Sequence, residues 1–111
     1  MTPYDKQYIE ERLASVKDDI NSLLVLCSGR QKFSPGDKEQ VRYDYTNLKS
    51  KLNGLAVHVF ESDHGRSFCQ SAGLGVAAAL SAKPSDAPAE LTRALESAQS
   101  EVSYWVHTLS K

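Results

Sequence analysis

Three histidines and one cysteine are the residues of this chain with the most evident capacity for chemistry. His58, His64 and Cys69 lie within one short stretch, and His107 lies near the carboxyl end. Zinc takes three or four nitrogen, sulfur or oxygen ligands in tetrahedral geometry. A metal-binding helical bundle that uses these four side chains is therefore one alternative function. The simpler interpretation is that these histidines lie near helix carboxyl ends, where an imidazolium is favoured by the helix dipole, and we assign no metal ligand.

Other catalytic patterns are incomplete. Glu61 and His64 have the Glu-x-x-His spacing of di-iron bundles, but the chain has no second copy of that motif. A phosphohistidine at His58 would need a nearby cation, and one helical turn later the chain carries the carboxylate of Glu61. Gly73 and Gly75 lack the third glycine and the lysine of a phosphate loop. We therefore predict neither an enzyme nor a bound cofactor.

The charge balance disfavours a nucleic-acid-binding protein. The chain has 13 Lys and Arg against 14 Asp and Glu, for a formal net charge of −1, so bulk electrostatic attraction to nucleic acid is excluded. Residues 30–51 do carry six basic side chains against three acidic ones, with Tyr43 and Tyr45 between them. That stretch leaves a small nucleic-acid accessory protein as a second alternative, although a solvated helix face explains it more simply.

Three segments repeat apolar residues at alternating steps of four and three, which keeps them on one face of a helix. The three sets are Ile9, Leu13, Val16, Ile20, Leu23 and Cys27; Val41, Tyr45, Leu48, Leu52, Leu55 and Val59; and Leu91, Leu95, Ala98, Val102, Trp105 and Leu109. We call these sets the three seams. Each covers 19 residues, or roughly 28 Å of helix at about 1.5 Å per residue.

The seams and the capping residues predict helices at about 3–28, 35–62, 67–82 and 87–110. Thr2 and Ser34 are predicted to cap the first two helices, with Asp5 as an acid in the first turn of the first. Gly29 and Gly65 are expected to end these helices, and Ser67, with Gln70 three residues later, is expected to begin the third.

The sequence thus predicts one all-α domain over residues 1–111. We expect an antiparallel up-down four-helix bundle with three long helices and a short third helix of small residues. The alternative is a three-helix bundle in which residues 63–85 are irregular.

This topology would gather surplus aromatic and apolar side chains at one pole of the bundle. Aromatic residues are frequent binding hot spots, so the pole is the predicted partner-binding surface. The predicted contacts are Phe60, Tyr104, Val106, Tyr4 and Tyr8. Trp105 belongs to a seam and is assigned to the core first. The predicted function is a small non-catalytic protein that binds another protein, as an adaptor, inhibitor, immunity-type protein or assembly subunit, with a homodimer as one possible form.

The cellular location is inferred from the cysteines and the hydropathy. Two cysteines are fewer than a disulfide-stabilised secreted domain of this size normally has. No apolar signal segment follows the N-terminus, and no apolar run approaches the length of a membrane span. We therefore expect a cytoplasmic protein with two free thiols.

Overall fold

A computed structural model of the chain is all-helical, with helices α1 (Pro3–Cys27), α2 (Pro35–Gly54), α3 (Asp63–Ala79) and α4 (Pro88–Leu109). A single 3₁₀ turn, Leu55–Val57, extends α2. The structure describes residues 1–111, apart from the side chain of Ala56, and within them it contains no β-strand. The predicted all-α class is therefore confirmed.

The first two helices begin as their sequences predict. Thr2 caps α1 by accepting a hydrogen bond from the Asp5 amide, and a proline occupies the first turn. Ser34 and Asp37 form a reciprocal capping box at the start of α2. Gly29, with a φ of 74°, follows α1 in the left-handed conformation that glycine tolerates best.

The seams form the core. All six residues of the first seam are buried, as are the first five of the second and every residue of the third except the half-buried Trp105. Phe33, Phe60 and Phe68 add to the same cluster. Helix α1 packs against α2 and α4, and α3 packs against the same two helices. The four helices therefore share one hydrophobic core, as expected of a bundle.

The sequence prediction is wrong between residues 55 and 65. The second helix was expected to continue to residue 62, but α2 ends at Gly54 and the chain becomes extended at His58. Consequently Val59, assigned to the second seam, is 83 % exposed. Helix α3 begins at Asp63 with Ser62 as its cap, rather than at Ser67. Gly65 lies in its first turn and does not end the preceding helix.

None of the helices in the described part of the chain combines the length and the apolar character needed to cross a membrane.

Candidate binding surfaces

A buried carboxylate explains why the chain leaves the helical path after Val57. Asp5 is fully buried, and its Oδ1 accepts a hydrogen bond from the Glu61 amide at 2.9 Å. Its Oδ2 accepts from the Ser62 amide at 2.9 Å and from the Ser62 hydroxyl at 2.8 Å. These bonds hold residues 61 and 62 against the first turn of α1. Because they join residues more than 50 positions apart, no local pattern in the sequence announces them.

The hydrogen bonds also set the ionisation of Asp5. Burial by itself raises the pKa of this carboxyl group, because it removes the charged form from water. The amide of Glu61 and the hydroxyl and amide of Ser62 outweigh that effect, and the pKa of Asp5 is lowered below its ordinary value of 3.8. Asp5 is therefore a carboxylate at neutral pH, which is the form that accepts all three bonds.

Gly65 lets the first turn of α3 approach this carboxylate. A Cβ at position 65 would lie 2.6 Å from Oδ2 of Asp5 and 3.0 Å from its Cβ and Cγ. The Gly65 amide donates to the Ser62 hydroxyl at 3.0 Å, which caps α3. Asp5, Ser62 and Gly65 therefore form a compact joint, which we call the Asp5 anchor.

The Asp5 anchor presents an aromatic stack on the outside of the bundle. The His58 ring lies on the Tyr8 ring, with centroids 3.7 Å apart and planes 13° from parallel. The Tyr4 ring is tilted by 30° to the same histidine, with centroids 5.5 Å apart. Phe60 meets the histidine ring edge-on, with centroids 5.3 Å apart. Nε2 of His58 is buried and has no hydrogen-bond partner among the described residues. The histidine is thus used here as an aromatic ring.

The residues on either side of His58 are unusually exposed for their type. Val57 is 78 % exposed and Val59 is 83 % exposed, and Tyr4, whose ring centroid lies 5.5 Å from that of His58, is 52 % exposed. We call the surface made by Tyr4, Tyr8, Val57, His58 and Val59 the His58 patch. Two exposed valines held next to a fixed aromatic stack form a surface of the kind found at protein interfaces.

Phe60, one of the predicted partner contacts, lies beneath the His58 patch. It is 6 % exposed, belongs to the core and meets the Tyr8 ring edge-on at 5.7 Å. In the isolated chain it therefore supports the patch from inside. Its predicted contact with a partner stays a prediction.

Tyr104, another predicted contact, lies on a different surface. It is 58 % exposed and meets the half-buried Trp105 ring edge-on, and Trp105 in turn meets Phe68 of α3. The Tyr104 and Trp105 rings border a groove between α3 and α4, which we call the Trp105 groove. It is lined by Gly75, Ala79, Ser97, Ser100, Glu101, Tyr104 and Trp105. The indole Nε1 is buried and makes no hydrogen bond within the described residues.

Val106 belongs to a third surface, on the side of α4 that faces α1. It shares a shallow groove with Glu10, Ala14, Lys17 and His107. The single aromatic pole that the sequence predicted is therefore divided among three surfaces. Of the five predicted contacts, the structure brings together only Tyr4, Tyr8 and Phe60.

The residues of the alternative metal site are dispersed. His58 is stacked on tyrosine, and His64 and His107 are exposed on different helices. The Cys69 thiol is buried and donates to the Leu55 carbonyl at 3.1 Å, and burial raises its pKa to about 11. Within the described residues, no three His, Cys, Asp or Glu side chains are grouped so that they could hold a metal ion.

The basic stretch of the nucleic-acid alternative is partly neutralised within the chain. Arg30 pairs with Asp37 at 3.2 Å, and Lys51 pairs with Asp19 at 2.9 Å. Lys49 lies over the Tyr45 ring, whose hydroxyl is bonded to Ser81. Tyr45 is therefore a core residue, 2 % exposed, and cannot stack on a base, which leaves Tyr43, at 67 % exposed, as the accessible tyrosine of the stretch.

Sequence reasoning missed Asp5, Ser62 and Gly65 as the residues that build the His58 patch. One local signal was present, because Ser62-Asp63 is itself a capping residue followed by a first-turn acid. The bond from Asp5 to Ser62 had no such signal. Without it, Ser67 and Gln70 looked like the better helix start.

The chain matches no protein-family model, and comparison with curated proteins and with solved structures gives no match.

Proposed function

We propose that this chain is a non-catalytic protein that acts by binding another protein through the His58 patch. The observation that carries the proposal is the high exposure of Val57 and Val59 beside an ordered aromatic stack. Apolar side chains of this size lose solvent contact when a partner covers them, and each contributes about 25 cal/mol per Å² of apolar surface buried. The Asp5 anchor keeps them in place, which lowers the entropy that binding must overcome.

The proposal includes an antiparallel up-down topology with a short third helix. Asn21 bonds to Gln99 at 2.7 Å, while Leu13 shares a groove with Val106, so residue numbers rise along α1 as they fall along α4. Tyr45 contacts Ser81, just after α3, and Leu52 contacts Gly73. Residue numbers therefore also rise along α2 as they fall along α3. Helix α3, at 17 residues, is the shortest of the four.

The proposal also places the protein in the reducing cytoplasm. Cys27 and Cys69 are both free and buried, and burial raises the pKa of each thiol. Thiols of this kind act as small core residues. No cofactor is part of the proposed function.

A photo-crosslinking amino acid at position 59 tests the proposal. Val25, which is 72 % exposed on the far end of α1, is the matched control position. We expect a discrete protein adduct from position 59 and none from position 25 in extract of the source cells. The partner identified in this way is then purified and titrated with the unmodified chain.

The titration decides the outcome. We expect Val59→Asp to weaken binding of the purified partner at least about tenfold, because it places a charge against an apolar contact, and Val25→Asp to leave binding unchanged. Both positions are exposed, so neither change should affect folding. Equal binding by the Val59→Asp variant, or adducts of the same kind from both positions, would overturn the proposal.

A further inference from the structure

The Trp105 groove lies apart from the His58 patch and carries a separate inference. It is bordered by the outward face of α4, where four residues recur at steps of four, three and four: Arg93, Ser97, Ser100 and Tyr104. This spacing places the four residues on one face of α4, next to the face that carries its core seam. Of these four residues, Tyr104 is the large apolar one, and it is 58 % exposed.

The charges on this face are symmetric about Ser97. Arg93 lies four residues before Ser97, and Glu101 lies four residues after it. Neither side chain forms an ion pair with any other residue that the structure describes. If a second α4 lay antiparallel across this one with Ser97 at the centre, Arg93 of each copy would face Glu101 of the other. The two-fold axis would create that pair twice.

The rest of the face fits the same register. Tyr104 lies seven residues after Ser97, and Glu90 lies seven residues before it. The Tyr104 hydroxyl of one copy would therefore face the Glu90 carboxylate of the other, whose Oε2 also accepts a hydrogen bond from the Ser85 hydroxyl of its own chain at 2.9 Å. At the centre, Ser97 of one copy would meet Ser97 of the other. On the α3 side, the groove is lined by Gly75 and Ala79. Side chains this small allow two helices to approach closely.

We propose that a second copy of this chain occupies the Trp105 groove, with the two α4 helices antiparallel and centred on Ser97. Such an interface is isologous, because each contact from residue i to residue j is repeated from j to i. It leaves the His58 patch of both copies uncovered, so the dimer would present two partner-binding surfaces. The self-complementary charges favour the antiparallel pairing and oppose a parallel one, in which Arg93 would meet Arg93.

Charge reversal tests this register. Sedimentation equilibrium over a range of concentrations measures the dimer dissociation constant of the unmodified chain, of Arg93→Glu, of Glu101→Arg and of the double variant. We expect each single reversal to raise the dissociation constant about tenfold or more, since it replaces two attractive pairs by two repulsive ones. The double variant exchanges the two charges, and we expect it to dimerise as the unmodified chain does.

Arg42→Glu is the matched control, because Arg42 is an exposed arginine on α2, a helix that packs against α1 and α3. It should leave the dissociation constant unchanged. A second measurement uses Ser97→Cys, which lies on the proposed axis and should cross-link to its own copy when an oxidant is added. Ser103→Cys, exposed on another side of α4, should not.

Three results would overturn the proposal. They are an unmodified chain that stays monomeric at every concentration, single reversals that dimerise normally, and a double variant that fails to recover. Rescue by the double variant also shows that both substitutions are compatible with the fold. Because the His58 patch is separate, failure here leaves the binding experiment at Val59 unaffected.

Discussion

The His58 patch and the Trp105 groove both expose aromatic surface, but they are built differently. The patch lies on an extended segment held to α1 by the hydrogen bonds of one carboxylate. The groove lies between two regular helices whose backbone bonds are satisfied internally. The patch can therefore be lost while the bundle persists, whereas the groove persists as long as α3 and α4 do. Local stability differs across the molecule for this reason.

Asp5→Ala should have the largest effect on the stability of the His58 patch. It removes the acceptor for the amides of Glu61 and Ser62, and each buried donor left without a partner costs about 1–3 kcal/mol. We expect a lower urea midpoint and rapid hydrogen exchange at those two amides. Asp18→Ala, a change at an exposed acid of the same helix, is the control and should alter neither.

The same variant separates the two surfaces. We expect Asp5→Ala to abolish the adduct formed from position 59 and to leave the dimer dissociation constant near that of the unmodified chain. A variant that lost both together would show that the groove depends on the Asp5 anchor and that the contrast between the surfaces is wrong.

Low pH should reproduce, in the unmodified chain, part of the destabilisation caused by Asp5→Ala. The pKa of Asp5 is lower in the folded protein than its ordinary value of 3.8, so the stabilisation is fully present above that value. It is lost as the pH falls through the lower, native value. We expect the difference in unfolding free energy between the unmodified chain and Asp5→Ala to shrink steadily below about pH 4.

Asp37 is the internal control for the acid experiment. Its pKa is also lowered, first by the Ser34 amide, but both proteins contain it and its contribution cancels in the difference. A difference that stayed constant from neutral pH to strong acid would contradict the assignment of the bonds to the carboxylate form.

These cases show how much the sequence could predict. The seams predicted the buried face of three helices because a repeat of four and three is a local property of the chain, and twenty or so residues are enough to reveal it. Asp5 was interpreted only as a first-turn acid, since an acid there is favourable in any helix. Its second role needs the tertiary fold, because its partners lie in residues 61 and 62.

The candidate surfaces were predicted less well than the core for the same reason. Tyr104 and Val106 are only two positions apart, yet two positions along a helix turn the side chain by about 200°. They consequently lie on opposite sides of α4, in different grooves. Grouping them by sequence proximity at one pole ignored that rotation.

Gly65→Ala should have an intermediate effect on the patch. The new methyl group would lie 2.6 Å from Oδ2 of Asp5, and this carboxylate cannot move without losing its bonds. Overpacking of this kind typically costs about 1–3 kcal/mol, which exceeds the gain of up to about 1 kcal/mol from replacing glycine by alanine in a helix. We expect a lower urea midpoint, with Gly54→Ala as a control, since a Cβ there meets nothing within 4 Å.

Gly75→Ala makes the matching change in the Trp105 groove, and we expect the smallest effect on stability. A Cβ at position 75 would lie 2.8 Å from Nε1 of Trp105, so the indole must shift. Unlike Asp5, however, Nε1 has no hydrogen bond to lose, and the ring borders an open groove. The gain in helix propensity offsets the displacement, so the unfolding free energy should change by less than about 1 kcal/mol.

The fluorescence emission of Trp105, the only tryptophan, should nevertheless change in Gly75→Ala, because its ring moves. A loss of stability as large as that of Gly65→Ala would mean that the groove is as tightly constrained as the Asp5 anchor, and the two surfaces would then differ in chemistry but not in rigidity.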